Sequence, residues 1–281
     1  MPGTAHAQIY VANSGNGTIG KYNLDGTTVN ASLVSGLNGP YDIAVSGGDL
    51  FVVNEGSGTI GEYTTSGATV NASLVSGLNG PFAIAVSGGN LFVANNHSGT
   101  IGEYTTSGGT VNASLVSGLL DPVRIALSGG DIFVANDFNG MIGKYTTSGG
   151  TLNASLISGL NFPFGIAVSG GDLFVASPPG QTIGEYTTSG GTVNASLISG
   201  LGEPVGMAVS GGDIFVTSIG GSPGVVNTIG EYTTSGVTVN AALVSGLNVP
   251  RGIAVVVPEP TTLALAAFGG LSLLLSLRRR K

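Results

Sequence analysis

The sequence contains no cysteine. Disulfides, thiolate metal sites and cysteine nucleophiles are excluded in any compartment, and stability must come from packing. Charge is also scarce, with Asp, Glu, Lys and Arg together only 8% of the 281 residues. Histidine occurs only at His6 and His97, so a Ser-His-carboxylate triad would depend wholly on His97. A lone loop histidine is far more often solvated surface than a catalyst. What is abundant is glycine, 50 residues, among recurrent Val, Ile, Thr and Ser. That composition suits many short strands joined by tight turns and predicts almost no helix before the C-terminal segment.

The formal charge of −7 is unevenly spread, because four of the eight basic residues are Arg278, Arg279, Arg280 and Lys281. Everything before them carries four basic against fifteen acidic residues, a net −11. Such a body repels phosphate backbones, which argues against nucleic acid as a partner.

One unit recurs six times. Its Ile-Gly-Glu/Lys-Tyr motif places tyrosines at Tyr22, Tyr63, Tyr104, Tyr145, Tyr186 and Tyr232, spaced 41, 41, 41, 41 and 46 residues apart. Pro40, Pro81, Pro122, Pro163, Pro204 and Pro250 show the same spacings. The extra residues of the last interval fall between Ser218 and Asn227, which makes that insertion a loop. Within one unit Ile84 to Val86 and Leu91 to Ala94 are apolar throughout, as strands buried on both faces require. Thr100 to Thr105 is mixed, and Val111 to Val116 alternates. Polarity thus rises from first strand to fourth, as it must in a propeller blade whose inner strands are sandwiched between neighbours. Gly-Gly-Asp/Asn and Ser-Gly-Gly supply the hairpin turns.

The chain begins in mid-unit. Gln8 to Asn13 matches a second strand with no first strand ahead of it, and Ile253 to Val257 matches a first strand with no second after it. Together they complete one blade and remove the open edges. The expected fold is all-β: a six-bladed propeller of four-stranded blades over residues 8–257. Pro81 to Val86 followed by Leu91 to Asn95 resembles the NHL-type propeller repeat, with Asn54, Asn95, Asn136, Ser177 and Ser218 standing where that repeat often has Asp.

Pro258-Glu259-Pro260 precedes the apolar run Thr261 to Leu277 and then the basic cluster. Seventeen residues sit at the short limit of a membrane helix, and the basic stop keeps the propeller on the far side of the membrane. The three parts in this order resemble a PEP-CTERM sorting signal. The resemblance implies export in a Gram-negative bacterium, an inner-membrane stage, processing by an exosortase-type enzyme and association with extracellular polysaccharide at the cell surface. Ala5-His6-Ala7 fits the end of a signal peptide, so residues 1–7 read as the remnant of a leader.

Chemistry is thin. Asp49, Asp131, Asp172 and Asp213, with Asn90, sit singly at hairpin turns rather than in calcium-binding clusters. The Asn-Ala-Ser triplets from Asn30 to Asn194 read as outer-strand polar positions, and the tyrosines as packing between blades. No catalytic residue, metal site or cofactor is expected. Differences between copies are more informative, because a duplicated scaffold diverges where packing constrains it least. They gather in two loop sets that an up-and-down blade brings to one face. The candidate binding face comprises Tyr41, Asp42, Glu55, Phe82, His97, Arg124, Asp137, Phe138, Phe164, Glu203 and Arg251.

The inner strand should start on that face and run away from it, so that the tail leaves from the opposite one. The expected function is an exported, non-catalytic binding or structural module. The alternative is a metal-dependent lactonase- or lyase-like enzyme, which would need Asp42, Glu55, Asp137 and Glu203 to converge.

Overall fold

The computed structural model describes residues 7–220 and 226–257. Residues 1–6 of the expected leader, residues 221–225 of the insertion, the Pro258-Glu259-Pro260 triplet, the expected helix 261–277 and the basic terminus lie outside the described residues. Among the described residues no helix is long and apolar enough to cross a membrane.

The described chain forms six four-stranded antiparallel sheets. Five are built from consecutive strands. In the third blade these are Pro81–Ser87, Asn90–Asn95, Thr100–Thr105 and Thr110–Ser117, from the axis outward. The remaining sheet joins the two ends of the ring: Pro250–Val256 is the inner strand, followed by Gln8–Asn13, Thr18–Asn23 and Thr28–Val34. Its register pairs Ile9 with Val255, Tyr10 with Ala254 and Val11 with Ile253, so the closure expected from the two half-units is present.

Burial follows the polarity gradient. Second strands such as Leu91 to Asn95 are buried throughout, whereas the first five residues of each outer strand are exposed. The core is divided into six apolar clusters, each lying between two neighbouring blades. One packs Ile9, Val11, Tyr22 and Ile253 of the first blade against Phe215, Ile229 and Val244 of the sixth, so side chains close the ring as well as backbone pairing. Each fully buried Phe or Ile contributes about 1.5–3 kcal/mol, which lets an array of thin sheets dispense with disulfides.

The recurrent Gly-x-Tyr has a steric cause. Each tyrosine ring folds back over the glycine two residues earlier on the same strand face. A Cβ at Gly102 would lie 2.8 Å from both Cε2 and the hydroxyl of Tyr104. The ring meanwhile packs against the adjacent blade, as Tyr104 does in the cluster with Phe51 and Ile60. Burial raises the phenol pKa of all six repeat tyrosines, and Asn54 and Asn95 hydrogen-bond to Tyr63 and Tyr104. The Asn of each outer strand is likewise local in purpose, its Oδ1 accepting a backbone N–H two residues on, as in Ser32 N to Asn30 at 3.0 Å.

Candidate functional site

Five of the six inner strands enter through a proline, the fifth blade's starting at Ile166 just after Pro163, and the two residues after each proline stand at the mouth of the channel. In five of the six blades the register shifts there, which turns the first of these residues out of the ladder. Around the ring that first position holds Tyr41, Phe82, Val123, Phe164, Val205 and Arg251, and the second holds Asp42, Ala83, Arg124, Gly165, Gly206 and Gly252. Three glycines in succession, Gly165, Gly206 and Gly252, let the neighbouring strand approach closely. A Cβ at Gly206 would strike the Arg251 carbonyl, and one at Gly252 the Asp42 side chain and backbone.

The large residues converge. Tyr41 stacks on Phe82 with centroids 4.4 Å apart and planes 22° from parallel, and Phe164 lies 6.5 Å from Tyr41. Arg124 sits over the Tyr41 ring at 5.2 Å and the Phe164 ring at 5.4 Å, while Arg251 sits over Tyr41 at 5.1 Å. His97 meets Phe82 edge-on at 5.9 Å. Arg124 is only 4% exposed, and its Nη1 donates to the Phe82 and Val123 carbonyls at 3.1 and 3.2 Å. Its Nη2 donates to the Tyr41 carbonyl at 3.5 Å. Asp42, 8% exposed, accepts the Ile84 N–H at 3.1 Å. Burial holds its carboxyl above the usual carboxylate range, with Arg124 and the hydrogen bonds from Ile84 and Ile43 opposing.

The eleven sequence-chosen residues therefore divide. Tyr41, Asp42, Phe82, Arg124, Phe164 and Arg251 form one cluster, and His97 joins it through Phe82. Asp42 and Arg124 are buried in the wall, although loop divergence led us to expect exposed positions. Glu55, in the single turn Glu55–Ser57, and Asp137 act on the cluster at longer range. Burial raises the Tyr41 phenol, Arg124 and Arg251 lower it, and these two carboxylates raise it. The Asp137 carboxyl is itself raised by burial and by Asp121. Phe138 is 74% exposed and lines a cavity of about 340 Å³ with His97, Leu119, Leu120 and Asp121. Glu203 is exposed at the start of the sixth blade's inner strand.

Sequence reasoning missed three features. Thr217, fully buried, donates to the Arg251 carbonyl at 2.8 Å and accepts the Gly206 N–H at 2.9 Å, tying the inner strands of the sixth and first blades together. Phe162 and Val249 hold φ of 49° and 50° immediately before proline, where the equivalent Gly39 and Gly80 have 62° and 63°. Replacement of glycine in an aligned copy was the available signal.

The opposite face differs in character. Asp131 pairs with Lys144 at 2.9 Å and Asn90 donates to Glu103 at 2.7 Å. In three other blades the same two positions are both acidic. There burial, then the nearby Asp49, Asp172 or Asp213, raises the Glu62, Glu185 or Glu231 carboxyl. Among the described residues no group of three His, Cys, Asp or Glu side chains is placed to hold a metal ion.

Residues 256–281 match the PEP-CTERM protein-sorting motif. The motif implies export and recognition by exosortase-type processing. No curated protein matches the chain in sequence. The fold is similar to a chain of a nidogen/laminin complex at TM-score 0.70 and 14% identity, covering 90% of this chain and 100% of that one. It is also similar to a protein of unknown function from Bacteroides caccae at TM-score 0.68 and 16% identity, with 90% and 100% covered. An inactive virginiamycin B lyase from Staphylococcus aureus crystallised with quinupristin gives TM-score 0.62 and 19% identity, with 85% and 89% covered. At these identities the likeness is one of fold.

Proposed function

We propose that this chain is an exported propeller that binds an extracellular ligand at its channel mouth without catalysis, and is delivered to the cell surface through its sorting tail. The observation that carries the reading is the convergence of Tyr41, Phe82, Phe164, Arg124 and Arg251, a set suited to stacking and hydrogen bonding. The carboxylate a hydrolase or lyase would want nearest the axis, Asp42, is walled in and already engaged by Ile84.

The orientation of the tail supports surface display. Arg251 stands at the mouth, whereas Val256, at the far end of the same strand, pairs with Gln8. Seven extended residues span about 20 Å, so Val257 leaves from the opposite face and the mouth points away from a membrane tether.

A carbohydrate panel tested against the purified chain and its Tyr41→Ala and Phe164→Ala variants checks the reading. Saturable glycan binding weakened in both variants is expected. A metal-dependent rise in melting temperature, lost when Asp42, Glu55, Asp137 and Glu203 are replaced by alanine, would favour the enzyme instead. Mass spectrometry of the native C-terminus addresses sorting, for which a fragment ending near Pro258 is expected and an intact Lys281 contrary.

A further inference from the structure

We propose that the channel mouth receives a single carboxylate carried on an otherwise neutral sugar chain, a uronic acid within a polysaccharide, with Arg251 as its main ligand and Arg124 beside it. This deepens the binding role above and rests on it.

Two guanidinium groups share one ring. Arg124 and Arg251 lie 5.2 and 5.1 Å from the Tyr41 centroid, so their charges are separated by no more than the sum of those distances. That is within about one Debye length, and burial weakens the screening further. Neither has a carboxylate in ion-pair contact, because the one ion pair among the described residues is Lys144 with Asp131. The nearest acid, Asp42, is the one whose charge burial disfavours. The cationic pair therefore has no carboxylate in contact with it.

The two arginines are not equivalent. Arg124 spends its donors on three backbone carbonyls, which fix the guanidinium plane against Tyr41 and Phe164. Arg251 donates no side-chain hydrogen bond, and its Nε is buried without an acceptor. The Arg251 side chain as a whole is partly exposed, and a guanidinium offers a carboxylate two parallel bonds. The site is thus built, held by stacking, and short of one acceptor.

The surroundings narrow the ligand. Glu55 and Asp137 already act on Tyr41, and Asp121 acts on Asp137, so the rim repels dense polyanions such as nucleic acid or polyphosphate. An isolated negative charge on a neutral body avoids that penalty. The half-buried rings of Phe82 and Phe164 offer faces on which the C–H side of a pyranose stacks, which favours a sugar acid over a peptide carboxylate.

The test is a titration of the purified full chain with D-glucuronate, D-glucose and an N-acetylated tripeptide with a free C-terminus. It follows the arginine Nε nitrogen-proton NMR signals, assigned with Arg251→Gln. Glucuronate is expected to move the Arg251 signal saturably, with glucose and the peptide weaker by roughly tenfold to a hundredfold. Arg251→Gln is expected to lose this preference while its circular dichroism stays that of the parent, since the native side chain makes no hydrogen bond and removing the unpaired Nε offsets the lost contact with Tyr41.

Glucose binding as tightly as glucuronate, with sensitivity to Phe164→Ala retained, would overturn the anion site and leave the mouth a binding surface. A tighter peptide would overturn the sugar assignment. Silence with all three would sink both the site and the binding role.

Discussion

Asp42→Asn is expected to make the protein more stable at neutral pH. The carboxyl is 8% exposed and accepts the Ile84 N–H at 3.1 Å, a bond that an asparagine Oδ1 accepts equally well. What the substitution removes is the cost of holding a charge away from water, several kcal/mol for a buried ion. What it loses is attraction to Arg124. With no nitrogen-oxygen approach within 4.0 Å, that attraction stays below about 4 kcal/mol at an effective dielectric of about 20. Burial outweighs it, because the carboxyl is held above its ordinary range despite the arginine.

The expected net gain is about 1–2 kcal/mol, which for a domain of this size raises the melting temperature by roughly 2–8 °C. The folded state binds the Asp42 proton more tightly than the unfolded chain, whose value is 3.8. The burial cost is therefore complete above the raised folded pKa and is relieved as pH falls through it. The advantage of the variant should shrink with acidification and be gone below the unfolded value. Calorimetric melts of both proteins from neutral pH to about pH 3 measure this directly. A variant that melts lower at neutral pH, or a gain that stays constant across the series, would refute the reasoning.

Gly102→Ala should cost about 1–3 kcal/mol in urea unfolding, because its Cβ would collide with Tyr104, and an unchanged midpoint would show that the ring has room to swing. Gly171 is the one second-turn glycine without a positive φ, and a Cβ there meets nothing within 4 Å. Gly171→Ala should therefore add about 0.4–1 kcal/mol, while Gly212→Ala, at φ 94°, should lose about 1–2 kcal/mol. Equal effects at the two sites would contradict the backbone argument. Val249→Gly should relieve a β-branched residue at φ 50° before proline and raise stability by about 1 kcal/mol. A loss instead would mean that the valine side chain, which reaches toward Gly15, contributes more packing than the strain removes.

The repeat was legible because packing between blades imposes the same demands six times. The period, the polarity gradient and the two half-units at the ends state those demands in residue types alone, and the pairing of Gln8–Asn13 with Pro250–Val256 follows. The mouth was legible in outline for the converse reason: residues after the prolines differ among copies because no neighbouring sheet dictates them. Their depth was not legible. Arg124 looks like a loop charge until the Tyr41 and Phe164 rings and the Phe82, Val123 and Tyr41 carbonyls are seen to enclose it. Thr217 replaces the Ala or Val of its siblings and reads as neutral drift, since its three backbone contacts exist only once the strands converge. Glu203 varied as visibly as Arg251 but lies outside the cluster, because divergence marks freedom from packing and not proximity to an axis.

Pro250–Val256 both closes the ring and leads directly to residue 257. Tension drawn between a load held at Arg251 and the tail would run along this strand's own axis. Its rungs to Gln8–Asn13 would then be loaded in shear, sharing the force, rather than peeled apart one at a time. The seam of the wheel doubles as its mooring line, and pulling on it tests the entire closure at once.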